Sequence, residues 1–238
     1  MFNKQVIILF GPPGAGKGTQ AELLSERFNL YYFETSRILE QAFKAAEHLP
    51  ESSIERFIKA DGEKFDVLNE KKLWLEGKLC DPPFVSHLVK EKIKKLFEAD
   101  KSLLIAGSPR TLYEAKTIMP FLENLYKKQN IKIALLKISP EQTIFRNSHR
   151  KICGLMRHSI LYNLETENLT ICPLDGSKLE RREGLDDPET IKVRLKEYRE
   201  RTAPLFDYLK ENNFELKEVN GEQSVTDVFA DVQKQLKL

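Results

Sequence analysis

The chain is poor in cysteine, with three in 238 residues: Cys80, Cys153 and Cys172. So sparse and odd a set argues against a disulfide framework and suits a reducing compartment, so a cytoplasmic protein is expected. No apolar run approaches a membrane span. Met1-Phe2-Asn3-Lys4 leads directly into an apolar segment, so no secretory leader is expected. Net charge is only +2, from 38 lysines and arginines against 36 aspartates and glutamates, which offers no electrostatic footprint for nucleic acid. Internal repeats and low-complexity linkers are also missing. At 41% apolar and 31% charged residues, the composition is that of one large folded core with inserts rather than two independent folds. Small-molecule partners and a monomer are expected.

What is present starts at the amino end. Val6 to Phe10 is an unbroken apolar run rich in β-branched residues, as a parallel strand buried on both faces requires. Gly11-Pro12-Pro13-Gly14-Ala15-Gly16 can neither extend that strand nor form a helix interior. From Lys17 onward Ala21, Leu23, Leu24 and Phe28 can share one helical face. Strand, glycine-rich loop and helix form a phosphate cradle: backbone N–H groups of Gly14, Ala15, Gly16, Lys17, Gly18 and Thr19 point at an anion, and the Lys17 side chain adds a mobile charge. The spacing from Gly11 to Gly16-Lys17 fits a phosphate-binding loop. Gly18, however, stands where a serine or threonine ordinarily follows the lysine, with Thr19 one place later.

The remaining pattern alternates. A strand is predicted over 30–33, then a helix capped by Thr35 or Ser36 and carrying Ile38, Leu39, Ala42 and Phe43. Residues 49–69 read as a polar peripheral insert, followed by helices around 70–77 and 84–97. Leu103 to Ala106 is a buried-strand candidate that runs into Gly107-Ser108-Pro109-Arg110, and a helix over 112–126 precedes a strong strand over 131–138. Pro140 opens a helix reaching about Arg150, and the pattern weakens from Lys151 to Glu183. Asp186-Asp187-Pro188-Glu189 starts a long helix through Tyr198, a fifth strand covers 214–219, and a closing helix covers 225–236. This order predicts an α/β fold: a five-stranded parallel sheet with helices on both faces and right-handed crossovers. Its ligands belong at the carboxyl edge, where Gly11 and Gly107 both fall.

Several motifs follow one another in a telling order: G-P-P-G-A-G-K-G-T-Q-A from Gly11, Gly77-Lys78-Leu79, G-x-P-R-T from Gly107 to Thr111, Arg146 with Arg150, Asp186-Asp187, and Thr202-Ala-Pro-Leu205. Together they resemble adenylate kinase and its nucleoside-monophosphate kinase relatives. The resemblance implies a P-loop NTPase-type core (1–34, 81–150 and 186–238) with two mobile inserts, a monophosphate-binding domain (35–80) and a lid (151–185). It implies phosphoryl transfer from Mg-ATP to a nucleoside monophosphate, AMP foremost, with ATP and Mg2+ as cofactors. Lys17 and the backbone of 14–19 would hold the donor phosphates. Arg110 would grip the acceptor phosphate and span towards the transferred group, and Thr35, Arg37 and Glu114 would fall in the acceptor site. Arg146, Arg150, Arg182 and Arg194 match positions that stack on the donor base or stabilise the transferring oxygens, work that suits an arginine fork. Asp186 and Asp187 would pair with these arginines on closure. Arg146 and Arg150, four apart, also fit a solvated helix face, and Asp187 before Pro188 equally fits a helix cap.

The acceptor half departs from the family pattern. Ser36, Arg37 and Glu40 stand where a glycine, an acidic residue and a phosphate-binding arginine are usual. Ala106 replaces an aspartate, and Glu114 replaces a glutamine that reads adenine. Arg37 and Glu40, three apart, either pair or leave Arg37 to supply the missing charge. An active kinase with a shifted acceptor grip or a different acceptor base is one reading, and an ATP-binding sensor that has lost its chemistry is another. A sugar or shikimate kinase on the same loop is a third, against which the lid arginines and Thr202-Ala-Pro-Leu205 argue. Some relatives bind structural zinc in the lid. The matching positions here are Cys153-x-x-Met156 and Cys172-Pro-Leu-Asp175. Methionine is a poor zinc ligand, and replacing it with His158 gives Cys153, His158, Cys172 and Asp175. The other reading is a lid held by hydrogen bonds and packing.

Overall fold

The computed structural model describes residues 4–182 and 185–238. Residues 1–3, expected to lead into the first strand, and 183–184, at the end of the expected excursion, lie outside the described residues. In chain order the elements are β1 (Val6–Phe10), α1 (Lys17–Phe28), β2 (Tyr31–Glu34), α2 (Thr35–Glu47), β3 (Phe57–Ala60), β4 (Glu63–Asp66), α3 (Val67–Leu75), α4 (Pro82–Glu98), β5 (Leu103–Ala106) and α5 (Leu112–Tyr126). There follow β6 (Ile131–Lys137), α6 (Pro140–Ser148), β7 (Lys151–Cys153), β8 (Ser159–Ile160), β9 (Leu179–Glu180), α7 (Pro188–Glu197), α8 (Leu205–Glu211), β10 (Leu216–Asn220) and α9 (Val225–Leu236).

The core is a five-stranded parallel sheet in the order β10-β6-β1-β5-β2. All five residues of β1 are buried, because alternate side chains enter opposite cores. Val6, Ile8 and Phe10 join Phe33, Ile105 and Ile133 beneath α4 and α5. Ile7 and Leu9 join Leu104, Ala134 and Leu136 beneath α1 and α9, which contribute Leu24 and Val232. The register pairs Leu9 with Ala106, so Gly11 and Gly107, each just beyond its strand, emerge at one carboxyl edge.

Between β2 and β5 lies an insert that local pattern described only as polar. It holds an antiparallel hairpin, β3 with β4, closed by Asp61-Gly62. Both turn residues have positive φ (52° and 83°), the conformation for which an Asp-Gly pair is suited. Asp66 then caps α3 by accepting from Leu68 N–H at 2.9 Å, so that helix begins and ends earlier than the 70–77 expected. Neither Thr35 nor Ser36 caps α2: the cap position is Glu34, with no side-chain bond. The Thr35 hydroxyl instead donates to Ser108 Oγ at 3.0 Å.

The second excursion is a three-stranded antiparallel sheet, β8-β7-β9. The helix expected from Asp186 through Tyr198 is α7, capped by Asp187 and opening at Pro188. After α7 the chain widens into a π turn over Tyr198–Thr202, marked by Ala203 N–H donating to Tyr198 C=O at 2.9 Å. Pro204 has no N–H with which to continue the α ladder, and α8 starts just beyond it. Among the described residues no helix is long and apolar enough to cross a membrane.

Candidate active site

A cleft of about 690 Å³ opens over the carboxyl edge of the sheet. One wall is the loop between β1 and α1 with the first turn of α1, whose residues Gly14 to Thr19 all line it. Gly14 takes a φ of 82°, and a Cβ there would sit 2.6 Å from Asn147 Nδ2, so only glycine lets the loop pass α6. The Lys17 ammonium bends back over this loop and donates to the carbonyls of Gly11 (2.7 Å) and Pro12 (2.9 Å). Arg146, on α6, donates to Gly14 C=O at 3.4 Å.

Lys17, Arg110, Arg146, Arg150, Arg182 and Arg194, drawn from separate segments, all line this cleft. Burial, followed by the charges of Arg110, Arg194, Arg150 and Arg182, holds the Lys17 ammonium well below its ordinary pKa. Burial also lowers Arg150, to about 10, with Arg182 adding to the shift, and Arg194 falls well below its usual range for the same two reasons. So many cations around one space repel each other, and a polyanion there would relieve them. Arg146 and Arg150 do not share one helix face: both line the cleft, but Arg150 lies beyond the end of α6.

The neighbouring acidic residues divide the work. Asp186 is buried and accepts two bonds from Arg182, at 3.2 and 2.8 Å. It also lies 3.8 Å from Arg194, whose guanidinium donates to Leu185 C=O at 3.0 Å. Among the described residues Asp187 pairs with no arginine: it accepts from Thr190 N–H at 3.0 Å and caps α7.

A small side lobe extends towards α2 to α4, lined among others by Thr35, Ser36, Trp74, Leu79, Cys80, Arg110 and Glu114. The Glu114 carboxylate is buried and accepts from Arg110 N–H at 2.9 Å and from the Thr111 hydroxyl at 3.2 Å. Burial raises its pKa, opposed by those bonds and by the Arg110 charge. Its oxygens thus shape the loop that carries Arg110. Gly107, with φ 99°, lies where a Cβ would come 3.0 Å from Arg110 Nη2, so the guanidinium packs against bare backbone. Arg37 and Glu40 do not pair, contrary to one of the two expectations: Arg37 binds Glu34 at 3.0 Å, and Glu40 binds Arg157 from the three-stranded sheet.

That sheet gathers Cys153, His158, Cys172 and Asp175, with one ligand atom from each lying within 4.8 Å of all the others. Cys153 Sγ is 3.5 Å and Cys172 Sγ 3.6 Å from His158 Nδ1. His158 Nδ1 is 3.2 Å from Asp175 Oδ2. Zn–S and Zn–N bonds in a tetrahedron place sulfur and nitrogen roughly 3.5 Å apart, so the donor set and its spacing fit zinc. Both cysteines are buried.

Local pattern gave no sign of some cleft residues. Phe145 and Tyr162 line the cleft and stack around His149, with His149–Tyr162 centroids 4.3 Å apart. Arg157, also in the cleft wall, sits in a weakly patterned segment at a φ of 61°. Only the three-dimensional path reveals them.

A parallel sheet, a phosphate cradle at its carboxyl edge and a ring of arginines define a P-loop phosphotransferase. A family model described as adenylate kinase matches residues 9–214. The chain is 31% identical over 231 residues to an adenylate kinase of Clostridium botulinum, spanning 95% of each chain. It is 33% identical over 233 residues to one of Caldicellulosiruptor bescii, covering 97% of this chain and 98% of that one. Over 228 residues it is 30% identical to one of Petrotoga mobilis, covering 93% of each. The chain belongs to the adenylate kinase family.

Proposed function

We propose that the protein transfers the terminal phosphoryl group of Mg-ATP to a nucleoside monophosphate, with AMP as acceptor and two ADP as products. The observation that carries this reading is that Lys17 of the cradle and Arg110 of the side lobe face one cleft, with Arg150, Arg182 and Arg194 alongside. In this reading the loop from Gly14 to Thr19 holds the donor phosphates, and Arg146 lies beside the donor nucleotide. Arg110 holds the acceptor phosphate, with the acceptor base directed to the lobe at Thr35 and Glu114. An acceptor phosphate oxygen attacks the terminal phosphorus in line as the bond to the bridging oxygen breaks, with no covalent intermediate. Arg150, Arg182 and Arg194 stabilise the charge spread over the transferring oxygens. Magnesium arrives with ATP and neutralises its phosphates. Ala106 brings no carboxylate to that end of β5, and Thr19 is the hydroxyl available beside the lysine. A sensor without chemistry would have little use for so many cations and is not favoured.

We also assign a structural zinc to Cys153, His158, Cys172 and Asp175, where it would tie the turns of the three-stranded sheet, the lid, together. The free thiols suit the cytoplasm as its setting. A coupled assay of ADP formation with AMP, CMP, UMP and GMP tests the reaction. AMP should give the fastest turnover. Tight ATP binding without ADP formation from any of them would overturn the kinase reading.

A further inference from the structure

Glu40 lies on α2, on one side of the cleft, and Arg157 lies in the turn between β7 and β8, on the other. Their side chains meet through two bonds: Arg157 Nη1 donates to Glu40 Oε2 at 2.5 Å, and Nη2 donates to Oε1 at 3.3 Å. Among the described residues no other hydrogen bond or ion pair joins residues 35–80 to residues 151–182. Glu40 is largely withdrawn, with 17% of its side chain exposed against 41% for Arg157, and only Arg157 lines the cleft.

The turn that presents Arg157 is held firmly. Arg157 N–H donates to Cys153 C=O at 3.1 Å, and the next residue's N–H donates to Cys153 Sγ at 3.2 Å. The backbone is fixed by the thiol cluster, but the long side chain would be free to swing into water without a partner. A guanidinium has five N–H donors, so those not given to Glu40 are available to an anion in the cleft. Arg37, the basic residue of α2 that lines this space, is already bound by Glu34. Ser36 and Leu39, next to Glu40, line the side lobe, whereas Lys17 and Arg146 stand at the phosphate cradle. The pair therefore sits on the side of the second nucleotide.

We infer that Arg157 is a further phosphate-binding residue for the acceptor monophosphate, and that Glu40 is its positioning residue, acting only through Arg157. This rests on the kinase reading above. Glu40 on this account is not a repelling charge in the acceptor site. It neutralises and aims a cation that reaches over from the three-stranded sheet.

Steady-state kinetics of Arg157→Gln, Glu40→Gln and the double variant, with ATP and AMP varied separately, test the inference. Arg157→Gln should raise the KM for AMP about tenfold, as the loss of one charge-assisted contact implies, and leave that for ATP within about twofold. Glu40→Gln should raise the same KM by a smaller factor. The double variant should match Arg157→Gln alone, because Glu40 has no other route to the substrate. Arg157→Lys, which keeps the charge without the fork, should fall between the two and guards against a folding defect in the neutral variant. A lower KM for AMP in Glu40→Gln, additive effects in the double variant, or a rise confined to the KM for ATP would each overturn the inference while the kinase reading stands. No turnover by the unsubstituted protein would defeat the kinase reading and this inference together.

Discussion

Asp186 grips Arg182 with both oxygens, at 2.8 and 3.2 Å, and lies within 3.8 Å of Arg194 as well. With only 1% of its side chain exposed, this carboxylate is the buried counter-charge for two of the cleft's cations. Replacing it leaves them facing each other in a poorly solvated space. Asp186→Asn should lower kcat by roughly tenfold or more and destabilise the fold by about 3 kcal/mol, the usual cost of breaking a buried pair. Stopped assays and urea melts would check both. A variant with unchanged activity would show that Asp186 does not position the arginines.

Lys17 should take up a proton when a polyphosphate binds. Burial and four arginines depress its pKa in the free protein, and an anion beside it must raise that value again. In the pH window between the depressed and raised values, binding draws in a proton, so ATP affinity falls as pH rises through that window. Calorimetry in buffers of different ionisation enthalpy would measure the uptake, and Lys17→Met should abolish it. The same substitution should cut kcat/KM by about 10²-fold or more if, as proposed, the lysine neutralises the transferring group.

Glu70 provides a stability test away from the chemistry. Burial pushes its carboxyl up to about 7, partly opposed by the bond it accepts from Asp81 N–H, with the Asp81 charge raising it further. The folded protein therefore binds an extra proton between about 4.5 and 7. Stability should fall as pH rises through that window, and the penalty is complete above it. Glu70→Gln can still accept from Asp81 N–H, so it should remove this pH dependence and stabilise the protein at pH 8 by about 1–2 kcal/mol. Denaturant titrations at matched pH values would decide.

The thiol cluster predicts a metal-dependent stability. Purified protein should carry zinc at one ion per chain, and chelation or Cys172→Ser should remove it and lower the melting temperature. Sub-stoichiometric zinc with no response to a chelator would rule the site out. Met156, exposed at 61% and outside the cluster, should be replaceable by leucine without loss of zinc.

Much of this protein is legible within short windows of sequence. Val6 to Phe10 can only be a doubly buried strand, Gly11 to Gly16 can only turn, and Lys17 follows the cradle by spacing alone, because strand, turn and helix signals act between near neighbours. Local pattern missed the β3–β4 hairpin inside the polar insert, although its Asp61-Gly62 pair is itself a local turn signal. What only the tertiary structure decided are the partnerships between distant segments. Asp187 could have paired or capped: burial beside Arg182 made Asp186 the counter-ion, and Asp187 took the cap. Glu114 turned its carboxylate inward to the Arg110 loop, and Glu40 found Arg157 across 117 residues of chain. Electrostatic partners are set by where a folded chain places charges and by how much water it leaves around them, and neither quantity exists until the sheet and its two inserts have packed.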